Sequence, residues 1–276
     1  MYIKAENGKV EIITTGKQER DSYNVVIGQN NKKAVALDSV TSVVLHVVDG
    51  NSKTGEQVVN FNFPIEFTCD HRCECYKKGI CYAEGGCYTF PNNQASYSEN
   101  LNFFMTHSDE EFLTALQLAL DYYGFELWRY FTCGDILNNR FFRLMVEFAK
   151  RNPAVRFWSY TKKYEIVNRW IDENGDLPEN LVIIFSHWMN EDGSYFEMNN
   201  RHNLPTSEFI PFGKEELAEK VTHICPCSDP TVKATCATCD HPCYKLQKGE
   251  SMALLEHSTK ATKERDKALK AAKEKL

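Results

Sequence analysis

Eleven cysteines are the residues in this 276-residue chain whose type and spacing point to chemistry, and ten of them fall in two short stretches. Cys69, Cys73, Cys75, Cys81 and Cys87 form the first group, Cys225, Cys227, Cys236, Cys239 and Cys243 the second, and Cys133 stands apart. Cysteines serving as small buried hydrophobes have no reason to crowd together, whereas thiolates that share a metal do. An odd number does not make a complete disulfide framework, and thiols in a reducing compartment are left for metal ligation, redox chemistry or burial.

In the second group the core is Cys236-x2-Cys239, with Cys225 and Cys243 close in sequence. This spacing fits a structural zinc ion and equally a four-cysteine 4Fe-4S cluster. The expected ligands are Cys225, Cys236, Cys239 and Cys243, with Cys227 in reserve. Four protein thiolates would close the coordination, so such a site should stabilise structure or pass electrons and should not bind substrate. In the first group the cysteines follow a β-branched and aromatic run at 58–63 and lie on irregular sequence, where thiolates converge without helical constraint.

Three segments expected at strand ends carry polar, compact sequence: Cys133-Gly134-Asp135, Tyr160-Thr161-Lys162 and Ser186-His187. In barrels and open α/β sheets the carboxyl ends of the strands form the functional face. Gly134, Asp135, Tyr160, Lys162 and His187 are the candidates there. Each also has a plain reading, since Asp135 or Asn138 would serve equally as a helix N-cap and Tyr or Lys at a strand end is commonly a rim residue.

The elements that must position these groups follow from periodicity. β-branched runs at 9–14, 23–27 and 42–48, separated by Gly, Asn and Asp, predict a β-meander over residues 1–49. From residue 108 the pattern alternates. Ser108 and Glu111 make a capping box, Phe112, Leu116, Ala119 and Tyr123 recur at helical spacing, and Gly124 ends the helix. A strand at 126–132, a helix at 139–151 stopped before Pro153, a strand at 155–160, a helix at 164–172 and a strand at 181–186 follow. Apolar runs at 58–63, 208–212 and 221–224 supply further strands. The predicted fold is α/β, a complete or partial (β/α) barrel spanning 50–220, with a doubly wound sheet as the alternative. A cysteine-rich metal site at 221–250 and an exposed basic helix at 251–276 complete the expected organisation.

Composition limits the function classes. A hydrophobic content of 42% suffices for a real core without disulfides, and a net charge of −6 argues against a general phosphate-backbone binder. Only residues 260–276, with seven Lys and Arg against three Asp and Glu, are basic enough to meet a host protein or nucleic acid. No stretch approaches a membrane span and no leader is evident, so a cytoplasmic protein with no membrane partner is expected.

Several motifs together resemble the phage gene product 88 family. They are Gly50-Asn51-Ser52-Lys53-Thr54-Gly55 with the following Val-Val-Asn-Phe-Asn-Phe-Pro, Cys69, Cys75 and Cys81-Tyr82-Ala83, Cys133-Gly134-Asp135, Arg156-Phe-Trp-Ser-Tyr160-Thr161-Lys162, and Cys225-Pro226, Cys236 and Cys239. The resemblance spans about residues 50–245. It implies a protein similar to radical S-adenosylmethionine (SAM) enzymes, with Cys69, Cys75 and Cys81 holding a 4Fe-4S cluster at the top of a barrel. Gly134-Asp135 would then resemble the segment that meets the amino group of SAM. The chain departs from the pattern in having five residues between Cys75 and Cys81 and in the extra Cys73, and the usual Cys-x3-Cys-x2-Cys spacing is absent. The resemblance favours iron over zinc at the second group. The rival reading is a non-catalytic iron–sulfur or zinc protein whose metals fasten an interaction surface.

Overall fold

The computed structural model describes residues 2–6, 9–13, 25–27, 33–35, 44–51, 53–69, 75, 81–188, 197–211, 213, 216, 221–228 and 232–256. Cys73 and residues 257–276 lie outside them, and with them most of the expected basic helix.

One mostly parallel sheet organises the fold. Its strands are β6 (Val48–Asp49), β7 (Val58–Phe61), β8 (Leu127–Tyr130), β9 (Arg156–Thr161), β10 (Leu181–Trp188), β11 (Thr206–Ile210), β12 (His223–Ile224) and β13 (Ser251–Leu255). They stand in the order β12-β13-β11-β10-β9-β8-β7-β6. Every pairing is parallel except β6 with β7, and the register Val58↔Leu127, Leu127↔Arg156 and Phe157↔Leu181 aligns the strand starts. From β7 to β11 neighbours in space are neighbours in sequence, the winding of a (β/α) unit. Among the described residues β6 and β12 end the sheet and do not pair with one another, so the strands form an open sheet and no closed barrel.

Successive strand residues point to opposite faces. One set, Val59, Phe61, Trp128, Tyr130, Phe157, Ile183 and Phe185, packs with the helices in the main core. These helices are α2 (Pro91–Thr106), α3 (Asp109–Tyr123), α4 (Asn139–Arg151) and α5 (Tyr164–Asn174), while a short α1 (Ile65–Thr68) leads into the first cysteines. Phe141 of α4 is central, its ring centroid 4.8 Å from Phe63 and 5.3 Å from Phe104. The other set, Val58, Trp158 and Ile184, meets Cys243, Leu246 and Met252 in a second core. Cover on both faces is what a parallel sheet requires.

The helix limits follow local chemistry. The Ser108 side chain accepts from the Glu111 N–H and the Glu111 carboxylate accepts from the Ser108 N–H, and Gly124 closes α3 at φ 65°. Asn138 caps α4 by accepting from the Phe141 N–H at 2.9 Å, so the N-cap is Asn138 and not Asp135.

Two expectations are corrected. Among the described residues the N-terminal strands do not pair in the simple chain order of a meander. The strands β1 (Tyr2–Glu6) and β2 (Lys9–Ile13) make a hairpin whose other neighbour is β5 (Val44–His46), and β3 (Val25–Ile27) pairs with β4 (Lys33–Val35) in a separate small sheet. These small sheets pack on α2 and α3. Residues 251–255, expected to begin a helix, form β13 between β11 and β12, where Met252 and Ala253 are buried. Burial of the run Met-Ala-Leu-Leu outweighs its helical propensity.

Candidate functional site

The first site grows from the carboxyl ends of β7 and β8. Asn62, the residue after β7, accepts at Oδ1 from the Thr132 N–H, the Thr132 hydroxyl and the Cys133 N–H at 2.8–2.9 Å. Phe131 takes φ 62°, a left-handed value that a bulky residue adopts only when its surroundings enforce it. Gly134 lies at φ 93°, and a Cβ there would stand 2.6 Å from the Phe63 carbonyl oxygen. The close approach that needs glycine is thus made by the neighbouring strand end.

Asp135 is buried and its carboxylate is engaged. Oδ1 accepts from the Thr161 hydroxyl at 2.6 Å and from the Ile136 N–H at 2.7 Å, and Oδ2 accepts from the Lys162 N–H at 3.1 Å. Burial pushes this carboxyl above its ordinary range, and those donors oppose the shift. Its own N–H donates to Thr68 Oγ1 at 3.1 Å, which ties β8 to α1 and Cys69.

Around this frame the first cysteines gather. Cys69 follows α1 and donates its N–H to the Ile65 carbonyl at 3.0 Å, and the Cys81 N–H reaches the Cys75 carbonyl at 3.1 Å. The Cys75 thiol donates to Cys81 and holds it below the ordinary thiol range against the cost of burial, with Cys69 and Lys162 in electrostatic reach. Cys133, isolated in sequence, joins them: it is buried with Ile65, Ala83 and Tyr97, and Cys69 and Cys81 pack against it. Burial, then Cys69, pushes the Cys133 thiol up. Cys87 is exposed on a short turn.

Tyr160 belongs to the other site. Its side chain lies on the opposite face of β9 from Thr161, and its hydroxyl donates to Cys243 Sγ at 2.8 Å. His187 pairs with Glu208 on the neighbouring strand at 2.9 Å. The strand-end candidates therefore divide: Gly134, Asp135 and Lys162 stand with the first cysteines, Tyr160 with the second, and His187 with neither.

The second group is carried by three single-turn segments. Pro226–Ser228 is fixed to β13, because the Cys225 N–H donates to the Ala253 carbonyl and Ser228 Oγ accepts from the Leu255 N–H. Cys236–Thr238 rests on the loop between β6 and β7: the Cys236 N–H donates to the Lys53 carbonyl at 3.0 Å and the Ala237 N–H to Thr54 at 3.1 Å. The Lys53 ammonium donates to the Cys227 carbonyl at 2.7 Å. Cys243–Lys245 places Cys243 in the second core.

Among these thiols Cys227, held in reserve on spacing, is central. It lies against both Cys225 and Cys236, which its proximity holds below the ordinary thiol range, while its own pKa is driven up, and its thiol donates to the Ala234 carbonyl at 3.4 Å. Cys239 lies within electrostatic reach of Cys225 and Cys236, and burial pushes Cys243 up to about 12. Arg129, projecting from β8 onto this face, stands beside Cys236, helps hold that thiol below its ordinary range, and lies over the Tyr160 ring at 5.3 Å. Sequence reading passed over it. The available signal was a charged residue inside the run Leu127-Trp128-Arg129-Tyr130, in a strand covered on both faces.

Among the described residues no group of three or more His, Cys, Asp or Glu side chains is placed to hold a metal ion. A single tetrahedral ion needs its thiolates tightly drawn, with metal–sulfur bonds of about 2.3 Å. A 4Fe-4S cluster sets each thiolate on a separate iron and holds them further apart.

The family profile of Gene product 88 matches residues 25–207, about two thirds of the chain. The chain belongs to the phage gene product 88 family. In this Gene product 88 protein the matched region holds the first cysteine group, Cys133-Gly134-Asp135 and β7 to β10. The second cysteine group lies beyond it, so the resemblance seen up to residue 245 is shown only as far as 207. No curated protein and no solved structure matches the chain. No helix among the described residues is long and apolar enough to cross a membrane.

Proposed function

We propose that this Gene product 88 protein is an iron–sulfur protein with two metal centres, one on each cysteine group. The observation that carries the reading is the convergence of thiols from separate segments: Cys225 and Cys227 lie beside Cys236, and Cys81, Cys75 and Cys69 meet beside the distant Cys133. Cys81, Cys225 and Cys236, held below the ordinary thiol range, are prepared to act as thiolate ligands. The second centre would draw on Cys225, Cys227, Cys236 and Cys239, with Cys243 held back by Tyr160 and Met252.

The first centre would use Cys69, Cys75 and Cys81 and lies at the carboxyl ends of β7 and β8, the face on which α/β enzymes bind substrate. Three thiolates on four irons leave one iron free for an outside ligand, which supports SAM as that ligand and a radical SAM-like activity. The carboxylate of Asp135 is already shared among three donors, so SAM binding would rest on the open iron and on Lys162.

Anaerobic purification with iron, sulfide and zinc counted tests the proposal. Cys81→Ser should lose one centre's iron and Cys239→Ser a different one. A protein that takes up no iron, or zinc alone, overturns it. Equilibrium SAM binding to the reduced, loaded protein tests the second step, and no binding at millimolar SAM leaves the metal centres without that activity.

A further inference from the structure

The chain crosses from the N-terminal sheet to the main sheet over α2, passing from β5 through Val47 straight into β6. Polar side chains fasten this crossing. Asn100 of α2 grips His46 on both sides of its backbone: Oδ1 accepts from the His46 N–H at 2.6 Å and Nδ2 donates to the His46 carbonyl at 2.9 Å. Beside it the fully buried Glu99 pairs with the His46 ring, and from α3 the Tyr123 hydroxyl donates to the Val47 carbonyl at 3.0 Å. Such an attachment holds one register, because each buried donor and acceptor must be met again if the segment moves.

The same amide reaches toward the first cysteine group. Asn100 Nδ2 also donates to the Asn62 carbonyl at 2.9 Å, and Asn62 Oδ1 is the acceptor shared by Thr132 and the Cys133 N–H. Just before them stands Phe131 at φ 62°, a strained value for a bulky residue that persists only while its surroundings over-determine it. The Phe131 N–H is fixed to the Phe61 carbonyl at 2.9 Å, and Asn62 clamps the chain on the other side of the strained residue. Cys133 enters its place against Cys69 and Cys81 directly from this turn. An unbroken run of hydrogen bonds thus leads from His46 through Asn100 and Asn62 to Cys133.

We propose that residues 44–47 are a strap whose docking on Asn100 sets the strained Phe131 turn, so that release of the strap relaxes Phe131 and loosens Cys133 in its buried place. Asn100 is the positioning residue of this device, acting on Cys133 through Asn62. The inference goes beyond the functional reading above and requires no metal at either cysteine group.

Amide hydrogen exchange on the full chain tests it, followed at residues 44–47 and 131–133 with β9 and β10 as the internal reference. Asn100→Ala removes the grip on His46 and the bond to Asn62, so exchange at Thr132 and Cys133 should rise by about tenfold, the protection that one hydrogen bond supplies, while the reference strands stay unchanged. A uniform rise in all segments, which a merely structural role would give, overturns the proposal, and so does an unchanged rate at 131–133. Glu99→Gln weakens the strap without touching Asn100 and decides the coupling even where Asn100→Ala does not fold. In that variant 44–47 and 131–133 should open together, and opening of 44–47 alone overturns the proposal.

Discussion

Cys236 donates its backbone N–H to the carbonyl of Lys53 at 3.0 Å, joining residues 183 positions apart, so the second cysteine group is built on the loop that precedes β7. That loop is closed by its own chemistry. Asn51 Oδ1 accepts from the N–H groups of Lys53 and Thr54, and the Gly55 N–H returns to the Asn51 carbonyl at 2.8 Å. The glycine-flanked motif that marks the family therefore acts as a seat for Cys236.

Gly55 should be the most sensitive position of that seat. It lies at φ 93°, and a Cβ would come within 2.9 Å of Thr235 Oγ1 and 3.0 Å of Ala237 Cβ. Gly55→Ala should destabilise the fold by about 1–3 kcal/mol through backbone strain and weaken metal retention at the second group while sparing the first. Metal counts in Cys81→Ser and Cys239→Ser backgrounds separate the two, and equal loss from both groups would contradict this role.

Asp135→Ala should cost stability whether or not SAM is a ligand. It leaves the Lys162 and Ile136 N–H groups without their acceptor, on the order of 1–3 kcal/mol for each buried donor left unmet. A urea melt reads the loss. Asp135→Asn, which keeps an acceptor oxygen, should recover part of it, and an unchanged midpoint in Asp135→Ala would show that the carboxylate does not fasten β8 to β9.

Thiol reactivity should rank the second group in the metal-free, reduced protein. A pKa held low keeps the thiolate populated as pH falls, so Cys225 and Cys236 should still react with iodoacetamide below the ordinary thiol range near 9.0. Cys243, pushed up to about 12 by burial and closed off by Tyr160, should react after Cys225 and Cys236 at any pH below that. Mass mapping of the alkylated peptides provides the order, and early labelling of Cys243 would remove the reason to exclude it as a ligand.

The strand β13 should mark the shortest chain that folds. A chain ending at Glu250 lacks the strand between β11 and β12 and should show no cooperative thermal transition. A chain ending at Glu256 keeps it and should melt close to the full-length protein. Circular dichroism compares the two, and a cooperative melt of the shorter chain would mean that β13 is dispensable.

His223 supplies a pH signature. Burial, then the stacked His241, lowers its pKa below 6.5, so the fold favours the neutral ring. As pH falls from 6.5 toward the lowered value the unfolded chain binds the extra proton first, and stability declines across that window. His223→Gln should flatten the fall in melting temperature there.

Local sequence determined a great deal. Helix limits at Ser108, Gly124 and Asn138 are set by hydrogen bonds that span three or four residues, and the βα alternation follows from apolar periodicity over ten or so. The crowding of cysteines into two groups was equally plain. What sequence left open depended on contacts between distant segments. Residues 251–255 read as helix because Ala and Leu favour it, and became a strand because the sheet had a place for buried apolar side chains. Spacing could not show that Cys243 is buried in the second core while Cys227 lies beside Cys225 and Cys236. Cys133 looked solitary until the parallel pairing of β7 and β8 brought it into one cluster with Cys69 and Cys81. Arg129 had no visible role in a strand of four residues, and only the tertiary structure set its guanidinium beside Cys236, more than a hundred residues away, because the second face of a parallel sheet is covered by segments distant in the chain.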